Sequence, residues 1–509
     1  MIARIDEYSQ NVLGIPISTL IDRSGAAVAR VVRERAPKNR HLVVLAGKGN
    51  NGADGYAAAI KLMDEYDITV YDVFGEGQKT PAGREFLEEF KCRGGVLLNF
   101  EPTPEILKHI KDAGCIVDAV FGTGFHGEMP EKVRPLAITV RESVEAQKIA
   151  IDVPLGINAD NGSVNDFAIM VGATVELSYI KPGIVSYPAR AFVGDIIYDD
   201  LDLPSSVFAK AFEFRYNMID AHYVQRVLPK REENSNKGSF GKLLMITGSK
   251  KYRGAAHLTL EAALRGGVGL VSFAGTEELV SELSQKFPEA VYKTIGDISA
   301  GDEKQIKELT ELSSKFSTTL VGSGSDNTDG LLRLTLSLLS ADGGPLVLDA
   351  DAINALSSLG EEGVLAIRNS PREVVITPHP LEFARLIGSD VATVQLHRIE
   401  CAEKFAKENS CIVVLKGAGT VITDGEKIHI NTAGSSALAK AGSGDVLAGF
   451  MAAFIAQGKV STIRSASLSV FFHAVAGDTL AEEFSSYGVT PSDLPVEIAR
   501  QLAKFENMN

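Results

Sequence analysis

Short apolar runs alternate with amphipathic stretches along almost the whole chain of 509 residues. HLVVLAG (41–47), DITVYDVFG (67–75), CIVDAVFG (115–122) and KIAIDVP (148–154) mark the first part. KLLMITGS (242–249), TTLVGSG (318–324), PLVLDAD (345–351) and CIVVLKG (411–417) mark the second. Each is continuous rather than alternating and breaks at Gly, Asp or Pro, as a strand buried on both faces should. Helical patterns at 55–66, 255–265 and 446–456 lie between or after them. Such β–α alternation predicts an α/β protein with parallel sheets covered by helices. The rhythm lapses over 192–224, which starts strand-like and turns at Pro204, and a polar, basic stretch follows at 228–242. Two domains are therefore expected, 1–215 and 216–509, without a repeat of solenoid period.

Charge narrows the function. Lys plus Arg number 51 and Asp plus Glu 65, a net charge of −14. That balance predicts no nucleic-acid partner and no anionic membrane surface, since both reward a basic face. Phosphate would have to be held locally, by backbone N–H groups, helix N-termini and a few Lys. Cys92, Cys115, Cys401 and Cys411 form no CxxC pair, and the N-terminus MIARIDEYSQ has no apolar core of a leader. A cytoplasmic, reduced setting is the expectation.

The first candidate site is Gly47-Lys48-Gly49-Asn50-Asn51-Gly52, a GxGxxG turn after a strand. Asp72 stands 20 residues beyond Gly52, where a ribose-binding acid of a dinucleotide fold would be. Two consecutive amides and Asp54 are more than a pyrophosphate cradle needs; they suit a cation or a hydroxylated ring. Asp118 and Asp152 close two further strands, and in open parallel sheets ligands sit outside the carboxyl ends of the strands.

GKGNNGADGYAAA, VDAVFGTGFHG, AIDVPLGINADNG and YIKPGIVSYPAR resemble the N-terminal domain of the bifunctional NAD(P)H-hydrate repair enzymes. The resemblance implies a Rossmann-like three-layer αβα domain that epimerises hydrated nicotinamide dinucleotide. It implies substrate contacts at Asn50, Asn51, Gly52, Ala53 and Asp54 and at Gly122, Thr123, Gly124, Phe125, His126, Gly127 and Glu128. Asp152 is implied as acid and base, with Lys181 a second candidate. A potassium ion on Asn51, Asp118 and Leu155 is implied as well; position 155 is usually Ser, so Leu155 would offer only its carbonyl.

In the second half, Gly442-Ser443-Gly444-Asp445 opens onto an apolar helix. Successive N–H groups there make an anion nest, and the helix dipole is expected to keep Asp445 ionised beside a transferring phosphoryl group. Asp349 and Asp351 end another strand and suit magnesium through water. GSKKYRGAAHLTLEAALRGGVGLV, LVGSGS, VLDADAIN, TPHPLEFARL, VVLKGAGTVI and ALAKAGSGDVLAG are similar to the ADP/ATP-dependent NAD(P)H-hydrate dehydratases, a ribokinase-like α/β fold. That resemblance implies ADP at Lys416, Gly417, Ala418, Gly419 and Thr420. It also implies ADP at Ser435, Ser436, Ala437, Leu438, Ala439, Lys440, Ala441, Gly442, Ser443 and Gly444. Hydrated substrate (NADHX or NADPHX) is implied at Ala255, Gly324, His379, Pro380, Leu381, Glu382, Phe383, Ala384 and Arg385, with Asp445 as base and magnesium accompanying ADP. Leu381 replaces a usual Gly and Asn236 a usual His. A homo-oligomer is the implied assembly. A ribokinase-like small-molecule kinase fused to a Rossmann-like binding domain, an RNA-associated scaffold and an NAD-dependent dehydrogenase are the competing expectations.

Overall fold

The computed structural model describes residues 8–38, 40–204 and 215–508. It divides into two compact units, Met1–Phe214 and Arg215–Asn509. The first holds seven strands: β1 (Leu42–Ala46), β2 (Ile68–Asp72), β3 (Val96–Asn99), β4 (Cys115–Ala119), β5 (Gln147–Ile151), β6 (Ala173–Leu177) and β7 (Asp195–Asp199). They form one parallel sheet in the order β3-β2-β1-β4-β5-β6-β7. Along β1, Leu42, Val44 and Ala46 face one core and Val43 and Leu45 the other, which accounts for the unbroken apolar run. Helices Ile17–Arg35 and Asn50–Leu62 cover the first face, Pro104–Lys111 and Arg134–Glu142 the second. Strand order reverses between β1 and β4, so a crevice opens where their carboxyl ends diverge.

The second unit holds β8 (Tyr216–Ile219), β9 (Lys242–Ile246), β10 (Leu270–Gly275), β11 (Val291–Thr294), β12 (Thr318–Val321), β13 (Leu346–Leu348), β14 (Val374–Ile376), β15 (Ile412–Leu415), β16 (Val421–Thr423) and β17 (Ile428–Asn431). The order is β11-β10-β9-β12-β13-β14-β15-β16-β17-β8, parallel except where β16 meets β15 and β17. Helix Ser443–Ala456 is apolar on nearly every face because it is buried on nearly every face. A β-carbon at Gly449 would lie 2.1 Å from the Thr259 carbonyl oxygen, so glycine lets the helix approach Arg253–Arg265 closely.

Three helices start earlier than the hydrophobic pattern predicts, at Asn50, Arg253 and Ser443 rather than 55, 255 and 446. The first turn at Asn50 is polar because it faces a crevice rather than core. The strand-like start of 192–224 is β7, and the rest of that stretch lies partly outside the described residues. No helix among the described residues is long and apolar enough to cross a membrane.

Candidate functional sites

Two close approaches build the first crevice. A β-carbon at Gly47 would lie 1.9 Å from the Val120 carbonyl oxygen, and one at Gly52 1.9 Å from that of Gly47. The turn after β1 is thereby drawn against the end of β4, and Asn50 and Asn51 enter the first helical turn. The crevice, of about 470 Å³, is lined by Asn50, Asn51, Asp54, Gly122, Thr123, Gly124 and Asp152 among the expected residues. Gly52 and Ala53 sit behind it in the helix. Phe125 is buried against Phe121, with ring centroids 5.1 Å apart, while His126, Gly127 and Glu128 continue the loop at the surface outside the lining.

Asp152 follows β5 at φ 67°, a left-handed conformation that non-glycine residues adopt at a cost. One carboxylate oxygen is bound to the ammonium of Lys181. The other faces Gly122, where a β-carbon would lie 3.6 Å from it and 3.4 Å from the Asn51 β-carbon. Asn51 Nδ2 donates to the Phe121 carbonyl at 2.9 Å, but its buried Oδ1 has no partner. Asp118 is buried, accepts N–H bonds from Leu155 at 2.6 Å and Val120 at 3.2 Å, and burial pushes its carboxyl up to about 7. The Leu155 carbonyl accepts from the Ile169 N–H at 3.0 Å.

The dinucleotide expectation for Asp72 does not survive. Its carboxylate accepts the N–H groups of Phe74, Gly75 and Gly77 at 3.1, 3.0 and 2.7 Å, folding its own loop. The 20-residue spacing alone could not separate the two roles. Sequence reasoning missed Ser24, Phe74, Ser178 and Leu201 of the lining, and Glu176 behind Lys181. These come from separate elements, without a local motif to mark them.

At the second site, Gly442 caps helix Ser443–Ala456 at φ 102°. His473, buried and pushed down to about 4 by desolvation, is hydrogen-bonded to the Ser443 carbonyl and hydroxyl at 3.0 and 3.2 Å. It fixes the nest from below as a neutral ring. A β-carbon at Gly444 would lie 3.4 Å from Lys416 Nζ, so the Lys416 loop and the nest face each other. Burial pushes Asp445 up to about 7, helped by Asp349 and opposed by Lys416. Desolvation and the neighbouring carboxylates thus act against the helix dipole, and Asp445 is not held fully ionised at neutral pH.

Asp349 is not free for magnesium. It accepts from Lys416 Nζ at 2.9 Å, Thr377 Oγ1 at 2.7 Å and Ser323 Oγ at 2.8 Å, and so anchors Lys416. Asp351 binds the Asp326 N–H at 2.9 Å through one oxygen. Arg398, buried and lowered to about 10 by desolvation, donates to the carbonyls of Leu415 and Lys416 at 2.9 and 3.2 Å; Gly417, at φ 138°, turns past its guanidinium. Ala418 and Gly419 carry the loop on, and the Thr420 hydroxyl closes it by donating to the Gly417 carbonyl at 2.9 Å.

His379 caps helix Pro380–Leu386. Its Nδ1 accepts from the Leu381 and Glu382 N–H groups at 3.2 Å each, and Glu382 accepts the His379 N–H at 2.8 Å. Leu381 is exposed in that first turn, Phe383 and Ala384 are core, and Arg385 donates to Asn354 at 3.2 Å. Ala255 and Gly324 meet: a β-carbon on Gly324 would lie 2.4 Å from that of Ala255. Ser435 precedes a short turn, Ser436–Leu438, in which Ala437 is buried. Ala439 and Ala441 are exposed beside the nest, but Lys440 reaches away from it to the carbonyls of Tyr487, at 2.6 Å, and Val489. Asn236, in place of a usual His, caps the turn Lys237–Phe240, accepting from the Gly238 N–H at 2.9 Å.

Residues 18–183 match the family described as the YjeF-related protein N-terminus, and residues 243–500 that described as NAD(P)H-hydrate dehydratase. The bifunctional NAD(P)H-hydrate repair enzyme of Moorella thermoacetica is 31% identical over 96% of this chain and 93% of its own length. The Escherichia coli K12 enzyme of the same name is 32% identical over 97% and 91%. The ADP/ATP-dependent NAD(P)H-hydrate dehydratase of Bacillus subtilis, co-crystallised with ATP and Mg2+, is 27% identical with a TM-score of 0.50, covering 57% of this chain and 99% of that one. A ribokinase-like superfamily protein from Enterococcus faecalis, 24% identical with a TM-score of 0.50 over 58% of this chain and 98% of its own, shares the fold. With both domains present in order and full-length relatives at this identity, the chain belongs to the bifunctional NAD(P)H-hydrate repair enzyme family.

Proposed function

We propose that this chain restores water-damaged NADH and NADPH, its first unit interconverting the R and S hydrates and its second removing water from the S form with ADP. The reading is carried by one observation: Asp152 lines a crevice beside the turn drawn in by Gly47 and Gly52, and Asp445 lies in the first turn of the helix capped by Gly442, where Gly444 stands against Lys416. In the first crevice, the Asp152 oxygen facing Gly122 gives a proton to the hydroxyl on the damaged ring carbon. The ring nitrogen's electron pair opens that carbon to a planar cation, and water returns from the opposite face as Asp152 takes a proton back. Asn50, Asn51 and Asp54 orient the ring and ribose.

The residues around Asn51 suit potassium in part. A buried carbonyl oxygen without a partner and a desolvated carboxylate are oxygen donors for a large monovalent cation, whereas the Leu155 carbonyl is already engaged by Ile169. Asn51 and Asp118 would hold the ion, which supplies positive charge beside the substrate's phosphates and hydroxyls.

In the second unit hydroxide is a poor leaving group, so the ring hydroxyl is first phosphorylated. Asp445 accepts its proton as the terminal phosphoryl group of ADP transfers, leaving AMP. The nest N–H groups and Lys416 hold the nucleotide phosphates. The ring nitrogen then expels phosphate, and loss of a neighbouring ring proton restores the reduced ring. Asp349 already accepts three hydrogen bonds and anchors Lys416, so magnesium would accompany the nucleotide, where it would neutralise phosphate charge. The homo-oligomer is part of this proposal and is read by light scattering.

Chemically hydrated NADH mixed with the protein, ADP and magnesium should recover the reduced-ring absorbance completely, with AMP and phosphate formed in equal amounts. A stable phosphorylated product without recovered absorbance would mean a kinase instead.

A further inference from the structure

Behind Asp152 the first unit carries an arrangement that proton transfer by one carboxylate does not require. Lys181, buried to 1% exposure, directs its ammonium at three acceptors: the near oxygen of Asp152, the Leu177 carbonyl at 3.0 Å and Glu176 Oε2 at 3.2 Å. This tripod joins two hydrogen bonds, to Asp152 and the Leu177 carbonyl, with an ion pair to Glu176. The Lys181 backbone N–H also donates to the same Glu176 oxygen at 3.2 Å, fixing both ends of that residue to one carboxyl. Glu176 lies in β6 with no exposed surface, and its second oxygen has no hydrogen-bond partner. A buried carboxyl with one orphan oxygen is costly in a sheet interior.

We infer that Glu176 and Lys181 are positioning residues for the epimerase reaction: Glu176 aims the Lys181 ammonium, which ties down one oxygen of Asp152 and leaves the other to face the crevice. The tie also holds Asp152 in its left-handed backbone conformation, together with the bond from the Asp152 N–H to the Val175 carbonyl at 2.8 Å. The inference rests on the epimerase reading of this crevice.

The test follows R-to-S interconversion in the full-length protein, with kcat and KM measured separately. Replacing Glu176 by Leu removes one leg of the tripod and should lower kcat roughly tenfold, with KM within about twofold. Glu176→Gln keeps an acceptor oxygen and should recover part of that loss, to about threefold below wild type. Lys181→Met frees Asp152 to rotate and should cost about 100-fold in kcat, the scale of a reacting group misplaced by an ångström. Circular dichroism of each variant checks folding; Glu176→Gln, being isosteric, keeps the test open if Lys181→Met does not fold. Undiminished kcat in Glu176→Leu, or a loss carried by KM alone, would overturn the inference. Wild-type protein that fails to interconvert the epimers would defeat the underlying reading instead.

Discussion

Desolvation, reinforced by the charge on Asp349 and opposed by the Lys416 ammonium, pushes the Asp445 carboxyl up to about 7. Only the ionised form accepts a proton, so the dehydration rate should climb as pH rises through about 7 and level off above it. At pH 6 it should be about a tenth of the plateau, as a one-unit displacement below the midpoint requires. A pH–rate profile at saturating ADP measures this; a flat profile between pH 6 and 8 would remove Asp445 as the base. Asp349→Asn should move the midpoint to lower pH, since it deletes a neighbouring negative charge and leaves Lys416 without its closest anion. The sequence places Asp445 after the nest but carries no trace of Asp349 beneath it, 96 residues earlier. Strand-end acids are legible singly; which of them share a cation is decided by strand order.

Elements explain more of what reading the chain captures. Apolar runs locate β1, β2, β4, β5, β9, β12, β13 and β15, because a strand sandwiched between helical layers has no polar face to interrupt it. They say little about β3, whose residues are mostly exposed, or about helix starts that line a crevice. Close approach between elements is equally hidden, since a glycine required by a neighbouring backbone looks like any turn glycine. Gly52→Ala tests that point. Its β-carbon would meet the Gly47 carbonyl oxygen and the Gln78 amide, which itself donates to that oxygen at 2.6 Å. Overpacking of this kind should cost about 1–3 kcal/mol in urea unfolding of the first unit. It should also weaken substrate binding, because Asn50 and Asn51 ride on the same turn. Unchanged stability would mean that the helix start shifts freely and does not position the amides.

Each candidate site is assembled from residues of its own unit, so the two reactions need share only a diffusible hydrate. A mixed pool of R and S hydrates separates the two contributions. Asp152→Asn should recover the S fraction at the wild-type rate and the R fraction only as fast as the epimers interconvert unaided. Asp445→Asn should recover neither, while still equilibrating the two forms. Mixing equal amounts of the two variants supplies one working epimerase site and one working dehydratase site on different chains. If the S hydrate is released into solution between steps, that mixture should recover the entire pool at about half the wild-type rate for the same total protein, since half the sites of each kind remain. Recovery that stops at the S fraction would mean that the intermediate passes within a single chain or assembly, and that the fusion does more than keep the two activities at equal dose.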